Sequence, residues 1–153
     1  MKFGAKVSAR AEVDFTRHLR LGKGVQIGSF CKIKASAGPR EMGASVHIGV
    51  GTVISAFQGG ITIGADTLVS PHCTIISNMY RHDRLDVPLR EQGRDSKGVR
   101  IGRNCFLGAG TVVVDGTTIG DNVIVSPNSV VSGTIPANTI LQGNPARVVL
   151  TRQ

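Results

Sequence analysis

Four histidines, His18, His47, His72 and His82, supply the imidazoles of this 153-residue sequence, the side chains best suited to exchanging a proton near neutral pH. His82 stands apart because of its surroundings. The stretch SNMYRHDRLDVPLREQGRDSKG, from Ser77 to Gly98, is rich in Arg, Asp, Glu and Gln and interrupts the pattern on either side. Pro88 stiffens its middle by fixing φ. Loops carried on a rigid scaffold are where chemistry usually sits, and an imidazole there can act as a general base. Asp83, Asp86 and Glu91 are the nearby carboxylates that can orient it, although solvated loop charge is the plainer role for each. His18 falls in an irregular N-terminal stretch, and His47, between Val46 and Ile48, reads as an outward strand side chain. His72, in VSPHCT, belongs to a regular segment and is the alternative base to His82.

The frame that must position this loop has a period of six. Stepping from Ile101 gives Leu107, Val113, Ile119, Val125, Val131 and Ala137. The same step recurs as Leu21, Ile27, Ile33, then Ile48 to Ile54, then Ile63, Val69, Ile75, with breaks that must be loops or bulges. Glycine follows the apolar residue at Leu21, Ile27, Ile48, Ile63, Ile101, Leu107 and Ile119. Six matches neither a helix nor simple strand alternation, so each hexapeptide is expected to form a short strand and turn a corner. Three hexapeptides make one coil, which sets Val99–Gly102 and Thr117–Gly120 at equivalent places on successive coils. The expectation is an all-β parallel β-helix, one domain over 1–153, with an inserted loop at about 77–98. A β-sandwich would instead show strand alternation with turn signals about every 8 to 12 residues.

Composition agrees with that frame. Aromatic residues are 4% of the chain and glycines number 20, so small and β-branched side chains must fill the interior. The opening MKFGAKVSARAEVDF has no apolar run of signal-peptide length, and no later segment approaches the roughly 20 apolar residues of a membrane span. A cytoplasmic protein without a membrane span is expected. Cys31, Cys73 and Cys105 form no CxxC pair and read as reduced, buried thiols. The net charge of +8 is scattered from Lys2 to Arg152 without a dense block, which argues against nucleic acid and suits a small polyanionic ligand.

The segments PLREQG, VRIGRNCFLGAGTVVVDGTTIGDNVIVSPNSVV and IPANTILQGNPARVV, between Pro88 and Val149, resemble the hexapeptide-repeat acyltransferases. That family includes maltose, galactoside and xenobiotic acetyltransferases and O-acetyltransferases of surface sugars. The resemblance implies a left-handed β-helix, a homotrimer with active sites between subunits, and acyl transfer from acetyl-CoA to a hydroxyl of a carbohydrate or similar small acceptor. It assigns the catalytic base to His82, with His72 as the alternative. Acyl-CoA contacts map onto Gly108, Ala109, Gly110 and Arg147, whose guanidinium can meet a phosphate bidentately. A coil corner explains the glycines equally well. Asn78, Asp86 and Gln92 are the loop groups able to hydrogen-bond a polyol.

Two positions depart from the family pattern. His82 lies two residues after the place where many relatives carry their histidine, and Ser132-Gly133-Thr134 stands where relatives often have lysine. No metal is expected: γ-class carbonic anhydrases share the fold but bind zinc through histidines that include a pair five residues apart, a spacing not found here. The competing reading from another class is a non-catalytic trimeric β-helix scaffold, which would keep the hexapeptides and lose the loop.

Overall fold

In a computed structural model, which describes residues 4–35 and 37–153, short strands stack into three main sheets. The first holds Lys6–Val7, Gln26–Ile27, His47–Ile48, Leu68–Val69, Phe106–Leu107 and Ile124–Val125. The second holds Glu12–Val13, Lys32–Ala35, Val53–Ala56, Thr74–Ile76, Val112–Val113 and Val130–Val131. The third holds Leu19–Leu21, Arg40–Met42, Ile61–Ile63, Val99–Ile101, Thr118–Ile119 and Thr134–Ile135. Each turn of the chain visits the sheets in that order, and neighbouring coils pair in parallel. An antiparallel return, Thr139–Gly143 with Ala146–Thr151, closes the first sheet. Among the described residues there is no α-helix, only a 3₁₀ turn at Leu89–Glu91.

The two-residue strands follow from strand alternation: one side chain points out and the next points in. In the first sheet Ile27, Ile48, Val69, Leu107 and Val125 are buried while Gln26, His47, Leu68 and Phe106 are exposed. Each coil thereby gives one branched aliphatic residue per face to a column along the axis. Backbone groups are satisfied between coils, as in Leu68 N–H to the Cys105 carbonyl at 2.9 Å and Phe106 N–H to the Val123 carbonyl at 2.9 Å. Buried hydroxyls close the corners. Thr111, Thr117, Ser129 and Thr139 each donate to the carbonyl three residues earlier, at 2.7 to 2.8 Å. The corner from the third sheet back to the first needs a left-handed residue, supplied by Asn104, Asn122 and Asn138 at φ of 51, 58 and 62°. Their amides form a ladder, Asn104 to Asn122 and Asn122 to Asn138, both 2.9 Å.

The 18-residue spacing appears directly, with Arg100 opposite Thr118 and Ile101 opposite Ile119. The sixfold run, however, stops at Val131. Ile135, not Ala137, pairs with Ile119 and enters the core, while Ala137 is exposed. A left-handed Gly133 at φ 76° lets the last corner turn with two fewer residues. Earlier coils are longer: Ile54 to Ile63 spans nine residues where Val113 to Ile119 spans six. The extra residues widen the corner between the second and third sheets.

Candidate active site

The insertion leaves after Thr74–Ile76 and returns at Val99–Ile101 without disturbing register, since Val99, Arg100 and Ile101 still lie opposite Ile61, Thr62 and Ile63. Its base is stitched by polar groups. The buried Ser77 Oγ accepts the Phe57 N–H at 2.8 Å, and its carbonyl accepts the Ser96 hydroxyl. Ser96 Oγ in turn accepts the Gly59 N–H at 2.8 Å. On the other side, the Asp115 carboxylate accepts the N–H of Lys97 at 2.9 Å and that of Gly98 at 2.8 Å. Asp115 lies one coil, 18 residues, beyond Lys97.

Above this base the two arms of the loop pair as a short antiparallel hairpin, Met79–Tyr80 with Arg94–Asp95. Arg81 and Asp95 add an exposed ion pair at 2.8 Å, which also holds the Arg81 guanidinium more strongly protonated than usual. The Arg94 guanidinium sits 4.3 Å from the centre of the Phe57 ring and 5.8 Å from that of Tyr80. The tip is braced by Gln92, whose amide donates to the carbonyls of Arg84 and Val87, both at 2.8 Å, and accepts the Arg84 N–H at 3.2 Å.

Between the loop and the outer face of the second sheet lies a cleft of about 560 Å³. Ile76, Val112, Val114 and Met79 give it an apolar wall, and Asn78, His82, Asp95, Lys97 and Asp115 bring polar atoms to it. His82 is exposed, and its Nδ1 lies 3.1 Å from the Tyr80 carbonyl oxygen. A carbonyl only accepts, so the hydrogen belongs on Nδ1 and the neutral ring presents Nε2 as a bare lone pair. That is the form a general base requires.

Of the residues singled out by sequence, His82 and Asn78 share this cleft, while Asp86 and Gln92 do not line it. Asp86 is gripped by Arg84 through contacts of 2.6 and 3.1 Å, which hold its carboxyl below the usual carboxylate range, and Gln92 is spent on the loop itself. His72 sits exposed at the corner between the first and second sheets at φ 59°, its ring against Gly51. Gly108, Ala109 and Gly110 occupy the same corner one coil further on. A Cβ on Gly108 would meet the Pro127 nitrogen at 2.5 Å, and Gly110 turns the corner at φ 73°, so coil stacking and corner geometry account for the two glycines. Arg147 is exposed on the closing strand, with its guanidinium at 3.0 Å from the Ala146 carbonyl. None of Asp83, Asp86 and Glu91 bonds His82; the Tyr80 carbonyl does. Asp95, Lys97 and Asp115 were not singled out from sequence, although the 18-residue step could have brought Asp115 to the loop.

The three cysteines are free and buried, and burial pushes each thiol pKa upward. Among the described residues no cluster of three His, Cys, Asp or Glu side chains could hold a metal ion, and no helix is long and apolar enough to cross a membrane.

Comparison with known proteins gives a concordant picture. Residues 98–133 match the family model described as bacterial transferase hexapeptide (six repeats). A probable acetyltransferase of Mycobacterium tuberculosis is 34% identical over 150 residues, covering 98% of this chain and 49% of the relative. This chain therefore spans about half the length of that protein. A putative lipopolysaccharide biosynthesis O-acetyl transferase of Escherichia coli, WbbJ, is 27% identical, over 97% of this chain and 76% of its own. Among solved structures, AntD, an N-acyltransferase from Bacillus cereus in complex with dTDP and 3-hydroxybutyryl-CoA, superposes with a TM-score of 0.87 at 19% identity, covering 98% of this chain and 81% of that one. At that identity the match establishes the fold, a left-handed parallel β-helix of hexapeptide repeats with one inserted loop.

Proposed function

We propose that the chain belongs to the hexapeptide-repeat family of bacterial transferases and moves an acyl group, most simply acetyl, from acyl-CoA to a hydroxyl of a carbohydrate or similar acceptor. The observation that carries this reading is His82: an exposed imidazole at an apolar-walled cleft, with Nδ1 committed to the Tyr80 carbonyl and Nε2 without a hydrogen-bond partner among the described residues.

In the reaction, Nε2 takes the proton of the acceptor O–H as that oxygen attacks the thioester carbonyl carbon. The tetrahedral intermediate then collapses, the C–S bond breaks, and the sulfur leaves with the proton held on Nε2. Tyr80 does not lose or gain a proton; its carbonyl keeps the ring in the productive tautomer and favours the imidazolium that forms. Ile76, Val112 and Val114 offer apolar contact for the acyl and pantetheine portions, and Asn78 offers an amide to acceptor hydroxyls. Gly108, Ala109, Gly110 and Arg147 are proposed to follow the cofactor towards the C-terminal coils, with Arg147 on a phosphate. Asp86 and Gln92 support the loop rather than the acceptor. We place the reaction at subunit junctions of a homotrimer in the cytoplasm, where acyl-CoA is made.

The test uses acetyl-CoA with a panel of free hexoses and dTDP- and GDP-linked sugars, reading released thiol. Acceptor-dependent release is expected, and His82→Ala should lower kcat by roughly 10²- to 10⁴-fold, the usual worth of a positioned base, while calorimetric affinity for acetyl-CoA stays close to that of the parent. Absence of both acetyl-CoA binding and acceptor-dependent thiol release would overturn the proposal in favour of a scaffold, and unchanged turnover in His82→Ala would overturn the assignment of the base. Light scattering should give about three times the chain mass of 16.1 kDa.

A further inference from the structure

We propose that Arg94 is a positioning residue for the base: held between the rings of Phe57 and Tyr80, it ties the hairpin to the coil body and so fixes the Tyr80 carbonyl that orients His82. The proposal rests on His82 being the base. Arg94 lies directly opposite Tyr80 in the hairpin, so their side chains share one face. The guanidinium carbon is 4.3 Å from the Phe57 ring centre and 5.8 Å from the Tyr80 ring centre. Both distances fall within the range in which a cation is drawn to an aromatic face.

The placement of Phe57 makes this contact an anchor. Phe57 directly follows the strand Val53–Ala56 of the coil body, and its own N–H is bonded to Ser77 Oγ at 2.8 Å. The chain of contacts therefore runs from a fixed strand, through Phe57 and Arg94, to Tyr80 and on to His82 Nδ1 at 3.1 Å. Among the described residues no carboxylate lies within ion-pair distance of Arg94; the adjacent Asp95 pairs with Arg81 instead. The ring faces are thus the partners that the Arg94 charge has. An arm paired over two residues is marginal by itself; the Tyr80–Arg81 peptide is held by the Arg81 N–H on the Gly93 carbonyl at 3.0 Å, and without the Arg94 anchor that bond frays with the hairpin and the Tyr80 carbonyl turns. The imidazole then loses the bond that selects its tautomer, and a misplacement of about 1 Å in a reacting group is enough to cost on the order of 10²-fold in rate.

Three variants and two readouts test this. Arg94→Gln keeps most of the side-chain length without the charge, Arg94→Lys keeps a cation, and Phe57→Leu removes one ring while leaving Arg94 and the Phe57 backbone bond in place. Turnover is measured with acetyl-CoA and the hexose and nucleotide-sugar panel, and the His82 tautomer is read from ¹⁵N spectra of histidine-labelled protein. Arg94→Gln and Phe57→Leu should each lower kcat by roughly ten- to a hundredfold with KM for acetyl-CoA nearly unchanged, and Arg94→Lys should recover part of the loss. The spectra should change from a single Nδ1–H form to an averaged pair. Parent-like kcat and a retained single tautomer in Arg94→Gln would overturn the proposal, and Phe57→Leu decides the same question if Arg94→Gln does not fold. His82→Ala separates the two levels: if it leaves turnover intact, the base assignment fails; if it abolishes turnover while Arg94→Gln is silent, only the positioning role fails.

Discussion

Replacing Asp115 by Ala removes the carboxylate that pins the returning arm of the loop, and the structure sets the size of the effect. Two backbone donors lose their acceptor. The Gly98 N–H is partly buried, so its charge-assisted bond is worth about 1.5 to 3 kcal/mol. The Lys97 N–H is open to water, which replaces the lost partner and leaves about 0.5 kcal/mol. Together these give roughly 2 to 3.5 kcal/mol, or an arm that opens about thirty- to a few-hundred-fold more often. The cost is local, because the ladder from Ile61–Ile63 through Val99–Ile101 to Thr118–Ile119 does not depend on Asp115. Hydrogen exchange followed by mass spectrometry should show faster exchange over residues 77–98 by that factor, with the coil strands unchanged. Asp115→Asn, which keeps one acceptor oxygen, should fall between. Parent-like exchange of the loop in Asp115→Ala would refute the reasoning and assign the anchoring to Ser77 and Ser96 alone.

Leu107→Ala empties a fully buried site in the axial column and should cost about 2 to 5 kcal/mol, measured as a lowered urea midpoint with an unchanged slope. Asn122→Ala should cost about 1 to 2 kcal/mol, chiefly because alanine tolerates φ of 58° poorly, and Asn122→Gly should recover most of it; equal midpoints for the two would deny the backbone explanation. For Cys73, burial is the main cause of a raised thiol pKa, opposed by the backbone groups of Thr111 and Gly110. A group raised in the folded state contributes stability that is complete below its ordinary value and lost as pH rises through the folded value. The urea midpoint should therefore fall as pH rises above the ordinary thiol value of about 8.5, and fall less in Cys73→Val; identical pH dependence in the two proteins would refute this. Native protein should also leave a thiol reagent unreacted at about pH 8, releasing its three thiols only when denatured.

Much of the architecture was legible because one residue in six must point inward in every coil. Ile101, Leu107, Val113, Ile119, Val125 and Val131 are both the periodic set and a buried column. The slip to Ile135 escaped the pattern because a tight turn at Gly133 shortens the corner, and period alone does not report corner length. At the site, the loop and its histidine could be read from the interruption of the hexapeptides. The partner of His82 could not: a side-chain carboxylate is visible in a sequence, whereas the bond is made by the backbone of Tyr80, set by a hairpin whose register depends on Arg94 and Gly93. The recruitment of Asp115 was within reach of the 18-residue step, since Lys97 and Asp115 are one coil apart.

The unbroken register across the insertion has a consequence for how such a protein can change over generations. Ile61–Ile63 and Val99–Ile101 pair as if the 22 residues from Ser77 to Gly98 were absent, so the scaffold places no demand on what lies between them beyond the stitches at its base. A loop can then be lengthened, shortened or exchanged as a cassette while the coils keep their alignment. Under the proposed reaction, acceptor preference can be retuned in the loop on an architecture that hardly moves.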